Sequence, residues 1–600
     1  MSSFPKHSFE QVYDNTFSSS LPGDSYLQGR RSTAANAGNQ GRRTSERSPL
    51  ITKAPVRTHP SYTNNAFSPL DRSTGQRPRN KAPSATSASS ADTLLGPEDA
   101  PDGHDNRRSL CGGASTDFNS SQTLSIREMA LREFKILLRY SAPVVLTYGM
   151  QNSLQLASLL SLGRLGSVEL ASSSLASMFA AVTCWSVALG AATALDTLCA
   201  QCYTSQHPHV LGTHLQRAIL VLMLFLVPIA GVWFSSEYIF LLLGQEPALA
   251  KHAALYLKGL LPGAPAYLIF ECAKKFLQAQ GNMHASTYVL LIVSPLNFLL
   301  TYLLVWNKYI GMGFIGAPIA TSIAYWTMLL LFVLYIRFVD GYQGWGGWSR
   351  DCLTGWSVFL KLAVPGIMMV CTEWWAFEVV SLAASYLGTV SLAAQSIVVQ
   401  TSGLLYTVPF GISIAASNRV GNLIGLGDAL SAKVASRVSI ALAIIFGLIN
   451  STMLIIFKDS WGRLFIDDVD VIKTVALILP LVSLYQVGDG LAGVGGGVLR
   501  GVGLQHMGAY LNLIAYYLVA FPLGYVLTFR MHWGLEGLWI ALCIALWMVG
   551  LGELVVILRT NWVRAVSDCE ERNSLVTKTR ATCASVADDE ESRLLGPQKP

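Results

Sequence analysis

The sequence predicts an all-α membrane protein, with twelve transmembrane helices in two parallel, pseudo-symmetric six-helix lobes around a central cleft. Three observations carry that prediction. Of 600 residues, 51% are hydrophobic and 13% charged, against about 25% charged in ordinary soluble domains. Apolar runs recur from about Leu137 to Leu558, each near the ~20 residues that a helix needs to cross a bilayer. The chain also matches itself. "SAPVVLTYGMQ" aligns with "AVPGIMMVCTE", with Pro143 over Pro365, and "LGSVELAS" aligns with "LGTVSLAA", with Gly166 over Gly388, both at an offset of 222. "GFIGAPIATSIAYW" aligns with "GLEGLWIALCIALW" at an offset of 221, pairing Gly313 with Gly534 and Trp326 with Trp547. An even number of spans per half gives both halves the same orientation, with a binding site expected between them.

In chain order, residues 1–125 come first. The first 90 hold twelve Lys/Arg against five Asp/Glu among abundant Ser, Thr, Asn and Pro, too little apolar surface to offset chain entropy, so disorder is expected. The first lobe (126–345) has spans near 137–162, 170–202, 213–234, 252–280, 286–306 and 315–339. "VDGYQGWGGWSRDCLTGW", rich in Gly and Trp, links the halves, its tryptophans read as interfacial anchors. The second lobe (346–562) has spans near 357–384, 390–424, 433–457, 472–501, 508–529 and 535–559, and a disordered tail is expected over 563–600. Arg337, Arg350, Arg419, Lys433, Arg437, Arg559 and Arg564 weight the connections on the side of the tails, so both termini are expected in the cytoplasm. The same rule accounts for the basic tail more simply than nucleic-acid binding does. No early apolar segment suggests a cleaved signal peptide, and the ten scattered cysteines suggest neither a disulfide framework nor a zinc site.

The chemistry is expected where the halves differ. Glu373 stands at the position that Gln151 occupies in the first half. Glutamine cannot titrate, so ion coupling should lie in the second lobe. Glu373 and Glu378 are five residues and about 140° apart around a helix, which gives them different neighbours: Glu373 shares a face with Phe377, and Trp374 with Glu378. Asp489 lies mid-span among Gly488, Gly490, Gly493 and Gly495 to Gly497. Glycine weakens a helix, so local unwinding is expected there. An ionised acid at a helix centre in lipid costs about 2.5–3.5 kcal/mol, and a dry site or a neighbouring carboxyl favours protonation. Such a group exchanges a proton for an organic cation, and competition for one carboxylate couples the two ligands reciprocally. Trp374 and Tyr406 offer ring faces to a cation. Glu271 is read as an i,i+3 pair with Lys274, with a second titrating site as the alternative; Asp196, Arg419 and Asn422 are read as local structural ties near the ends of their spans.

"EWWAFE" (373–378), "AAQSI" (393–397), "AASNRVGNLIGLGD" (415–428), "GGVLRGVG" (496–503), "LDTLCAQCYTSQ" and "FLQAQG" resemble the multidrug and toxic compound extrusion family, and the chain looks like a fungal member of its eukaryotic branch over roughly residues 130–562. The resemblance implies two lobes about a central cleft, rocker-type alternating access and export driven by a cation gradient. It places the family's functional acids on Glu373, Glu378 and Asp489. Phe377 stands where animal relatives carry Tyr, and Gln151 and Asn152 stand at the level where many prokaryotic members use a span-one aspartate. The function expected is therefore a proton-coupled antiporter of organic cations, xenobiotics or small metabolites: a monomer in the bilayer, not an enzyme, with no cofactor or metal. The alternatives are a lipid-linked oligosaccharide flippase of the same superfamily, which would need a basic cleft, and a membrane sensor or enzyme, which would need a nucleophile–base or metal cluster in the spans. "ERSPLI" (Glu46–Ile51) and "EESRLL" (Glu590–Leu595) fit acidic dileucine patterns read by sorting adaptors, which favours the vacuolar membrane, with the plasma membrane second.

Overall fold

A computed structural model describes residues 125–205 and 210–574. The described chain is built from long helices: α1 (Ile126–Gly163), α2 (Ser167–Tyr203), α3 (Val210–Phe234), α4 (Pro247–Ala279), α5 (Ala285–Trp306), α6 (Gly313–Phe338), α7 (Trp356–Ser385), α8 (Thr389–Gly425), α9 (Ala429–Leu464), α10 (Val469–Val502), α11 (Gln505–Arg530) and α12 (Gly534–Arg559). Eleven of these, α2 to α12, are long and apolar enough to cross a membrane. The remaining helix, α1, is 38 residues long, but Gln151, Asn152 and Gln155 interrupt its apolar run. In lipid every backbone group must be satisfied internally, which is why helices of this length dominate.

Local sequence explains the helix ends. α1 starts eleven residues before its apolar run because Ser125 and Glu128 form a capping box. Asp428 caps α9 and Asp468 caps α10, each side chain accepting from backbone amides of the first turn. Helix α2 carries a π-helical segment, Ala181–Trp185, where a carbonyl is freed for another partner. Trp375 Nε1 of α7 donates to Val182 O there, at 3.2 Å.

The halves meet through α1 against α8 and α2 against α7, as a two-fold-related pair of contacts requires. Small residues set the approach. A Cβ on Gly190 of α2 would lie 2.5 Å from the Ile367 backbone of α7, and one on Gly411 of α8 would lie 2.5 Å from Val145 Cγ2 of α1. Close backbone contact of this kind is how helices associate in lipid, where the solvent supplies no hydrophobic drive between them.

Two expectations are corrected. Asp489 sits in unbroken helix, since α10 runs 34 residues from Val469 to Val502. Its glycines serve close packing: a Cβ on Gly497 would lie 2.5 Å from Ser413 Oγ, one on Gly501 2.5 Å from Ser417 O, and one on Gly493 3.0 Å from the Tyr406 ring. Tertiary contact overrides the weak helix propensity of glycine. The C-terminal tail is also helical as far as described, over 562–574. Trp562, Ala565 and Cys569 recur at helical spacing and bury in a cluster with Leu137, Val420 and Val498. Residues 1–124 and 575–600, with both dileucine patterns, lie outside the described residues.

Gly497→Val should lower the midpoint of thermal unfolding in detergent, at an overpacking cost of about 1–3 kcal/mol. Gly403→Ala meets nothing within 4 Å and should leave the midpoint unchanged. Equal midpoints for both variants would contradict the packing role given to α10.

Candidate functional site

In the second lobe, α7 and α10 present two acids to each other. Asp489 is 3% exposed and Glu373 half-buried, and the two interact electrostatically. Neither has a lysine or arginine within ion-pairing distance among the described residues. Phe377, on the Glu373 face, packs edge-on against Tyr485 of α10, with ring centroids 6.4 Å apart, so that face turns into the lobe. Glu378 is half-buried, with neither a hydrogen bond nor an ion pair among the described residues, and Trp374 is exposed. The two glutamates of α7 thus stand in different surroundings, as helix geometry predicts.

Tyr406 of α8 lies over Gly493 and stacks obliquely on Phe410 at 5.6 Å. Phe410 meets Tyr148 of α1 edge-on at 4.8 Å, and Lys274 Nζ sits 4.3 Å from the Tyr148 ring centroid. An aromatic floor therefore runs from beside the second-lobe acids to a polar group in the first lobe. There Lys274 Nζ donates to Glu271 Oε1 at 2.8 Å, and Gln151 Nε2 donates to the same oxygen at 2.8 Å and to the Tyr267 hydroxyl at 3.0 Å. The structure joins Gln151 to Glu271, so the Glu–Lys pair forms as expected and is fully buried. Asn152 is exposed and lies apart from this group.

The ends of the helices on the side of Ser125 and Ser574, the tail side, are tied across the two halves. Arg419 of α8 grips Glu133 of α1 with both arms, Nε donating to Oε2 at 2.7 Å and Nη2 to Oε1 at 2.6 Å. Asp196 of α2 lies 2.8 Å from Lys275 Nζ of its own half and 3.5 Å from Arg500 Nε of the other. Around these pairs, Gln201 Nε2 donates to Gly501 O at 2.9 Å, Thr204 Oγ1 to Asn422 O at 2.7 Å, and Gln505 Nε2 to Thr193 O at 3.1 Å. Thr197 Oγ1 donates to Arg500 O. Asp196, Arg419 and Asn422, read from sequence as local ties, are corrected: they join one lobe to the other.

The family model for MatE matches the chain twice, over residues 143–303 and 365–526. The chain belongs to the MatE family. The double match falls on the two lobes, in keeping with the internal repeat. An uncharacterized transporter of Schizosaccharomyces pombe is 42% identical over 431 residues, covering 72% of this chain and 80% of the relative. Human multidrug and toxin extrusion protein 1 is 35% identical, over 77% of this chain and 81% of the human one. The crystal structure of the eukaryotic MATE transporter AtDTX14 matches with a TM-score of 0.70 and 28% identity, covering 74% of this chain and 99% of that one. The protein is thus a multi-pass membrane transporter of the MATE family.

Sequence reasoning missed several residues of this MATE transporter. Glu133, Lys275 and Arg500 lie near helix ends, where a charge is unremarkable until its partner is known. Glu553 of α12 is fully buried and was legible: it interrupts the apolar "GLGELVV", and the repeat sets it opposite Phe332, the same asymmetry that singles out Glu373.

Glu133→Gln removes the carboxylate that Arg419 grips with both arms and should weaken the closed tail side. Spin labels at His284→Cys and Leu430→Cys, both exposed positions at the tail-side ends of opposite lobes, should report a shift to longer distances. Unchanged distances would remove Glu133–Arg419 as a clasp.

Proposed function

We propose that this MATE transporter is a proton-coupled antiporter that exports organic cations by alternating access, with Glu373 and Asp489 as the shared proton and substrate site. The observation that carries the reading is the pair itself: a buried acid, Asp489, and a half-buried one, Glu373, that interact with each other and form no ion pair with a basic side chain among the described residues, beside the Tyr406–Phe410–Tyr148 floor. Two carboxylates sharing a dry site resist double ionisation. A proton or a cation relieves the strain equally, so each displaces the other, and the floor offers ring faces to a cation. The first-lobe group works differently, because Lys274 already neutralises Glu271; we assign it to shaping the cleft wall with Gln151. Glu378 and Trp374, half-buried and exposed, suit the path into the cleft.

The excess of basic connections on the tail side supports cytoplasmic tails. On that reading the tied end faces the cytoplasm, and this state opens to the opposite side. The dileucine patterns at Glu46–Ile51 and Glu590–Leu595 support delivery of a monomeric transporter to the vacuolar membrane, with acidic lumen supplying the protons.

Uptake of tetraethylammonium into proteoliposomes under an imposed pH gradient tests the coupling. Glu373→Gln and Asp489→Asn should each reduce gradient-driven transport at least about tenfold, the effect of ~1.4 kcal/mol on a single step, while elution on size exclusion stays unchanged. Full transport by both variants would end the coupling reading.

A further inference from the structure

Glu553 has no place in the scheme so far, and its surroundings are unusual. The side chain is fully buried, and among the described residues no side chain donates a hydrogen bond to either carboxylate oxygen; the Gly496 amide of α10 is its backbone partner. It lies against bare backbone: a Cβ on Gly495 would stand 2.6 Å from Oε2, and one on Gly508 of α11 would stand 3.3 Å from Oε1. A Cβ on Gly496 would come within 3.4 Å of Glu553 Oε1 and 3.6 Å of Arg500 Nη1. The gap left by one glycine is what separates the carboxyl from the guanidinium. Glu553 also interacts electrostatically with Arg500 of α10 and Glu373 of α7, and with Tyr406 of α8 and Tyr516 of α11. Asp489 lies further along α10, and Asp196 and Lys275 stand beyond Arg500 on the first lobe.

Arg500 is the loose member of the tail-side closure. Nη2 donates to Ser413 Oγ at 2.7 Å, within its own lobe. Nε is 3.5 Å from Asp196 Oδ2 and makes no hydrogen bond. Asp196 has a second partner in Lys275 at 2.8 Å, so when the lobes part it leaves neutralised. Arg500 would be stranded, and a buried cation left alone is costly. Two acids of its own lobe share its field among the described residues, Glu373 and Glu553, and Glu553 is the one that faces its guanidinium across the gap at Gly496.

We propose that Glu553 is a positioning residue that takes Arg500 over from Asp196 when the tail-side ends of the lobes separate, and that it gives up a proton in doing so. The proposal rests on the antiport reading above and extends it to the closure. With the lobes together Glu553 is the neutral acid. On opening, its O–H bond breaks, the proton passes to water entering from the tail side, and the carboxylate pairs with Arg500. Opening thus releases one proton on the side to which the site is about to open.

The test measures the distance between labels at His284→Cys and Leu430→Cys across a pH series, in full-length protein with Cys111, Cys352 and Cys583 replaced by serine. Release of one proton makes the open population rise with pH, by up to about tenfold per unit. Glu553→Gln should flatten that profile and hold the lobes closed. Asp196→Asn removes the competing partner and should shift the midpoint of opening to lower pH, which tests the idea even if Glu553→Gln does not fold. An unchanged profile in Glu553→Gln, or an unchanged midpoint in Asp196→Asn, would overturn the proposal. The profile should persist in the Glu373→Gln, Asp489→Asn double variant. If that double variant still transported under a pH gradient, the antiport reading would fall while the Glu553 profile stood.

Discussion

A charge in the interior of a membrane protein must be paired, neutralised by a proton, or given access to water, and the rest of this structure follows from how it meets that requirement. The first lobe pairs its charges: Glu271 with Lys274, and Asp196 with Lys275. The second lobe sets Glu373 in the field of both Asp489 and Glu553, and the cation Arg500 acts on Glu373 and Glu553. Acids already paired have little reason to bind a proton or a cation. An under-compensated lobe has a reason to bind either.

That division requires close packing. Acids gathered in one lobe are held there by helices that approach until their backbones touch, and the glycines of α10 make this feasible against both α8 and α12. Gly497 and Gly501 bring α10 against the α8 backbone at Ser413 and Ser417; Gly495 and Gly496 leave room for Glu553 from α12. Larger side chains would push the acids apart and let lipid or water between them. Helix α10 therefore needs to be continuous: an unwound segment would expose carbonyls that could act as ligands, whereas a smooth glycine face confines the site to side chains.

The two lobes and the second-lobe acids could be read from sequence because each leaves a one-dimensional trace. Duplication leaves residues in register, and an acid in an apolar run stands out against its neighbours. The tail-side closure leaves no such trace. Arg419 and Glu133 are 286 residues apart, and each lies near a helix end where a charge is ordinary. The helix stays wound at Asp489 because glycine propensity reflects solvated helices, while here each glycine is in contact with another helix. The tail helix over 562–574 carries an apolar stripe, but its three anchors are too few to stand out beside a 26-residue span.

The placement of the ion pairs also suits the reversible closure that the proposed alternating access requires. Glu133–Arg419 and Asp196–Arg500 both join opposite lobes, and each keeps some route to compensation when broken. Arg419 is 17% exposed at its side chain, so water meets it early as the lobes part. Asp196 retains Lys275. A buried pair with no second partner would be a lock, since separating its charges costs several kcal/mol that no single ligand readily returns. Spare partners lower that cost toward the free energy that one proton or one bound cation supplies, which is what the proposed antiport would require if the occupancy of a site near mid-membrane is to set which end of the molecule is open.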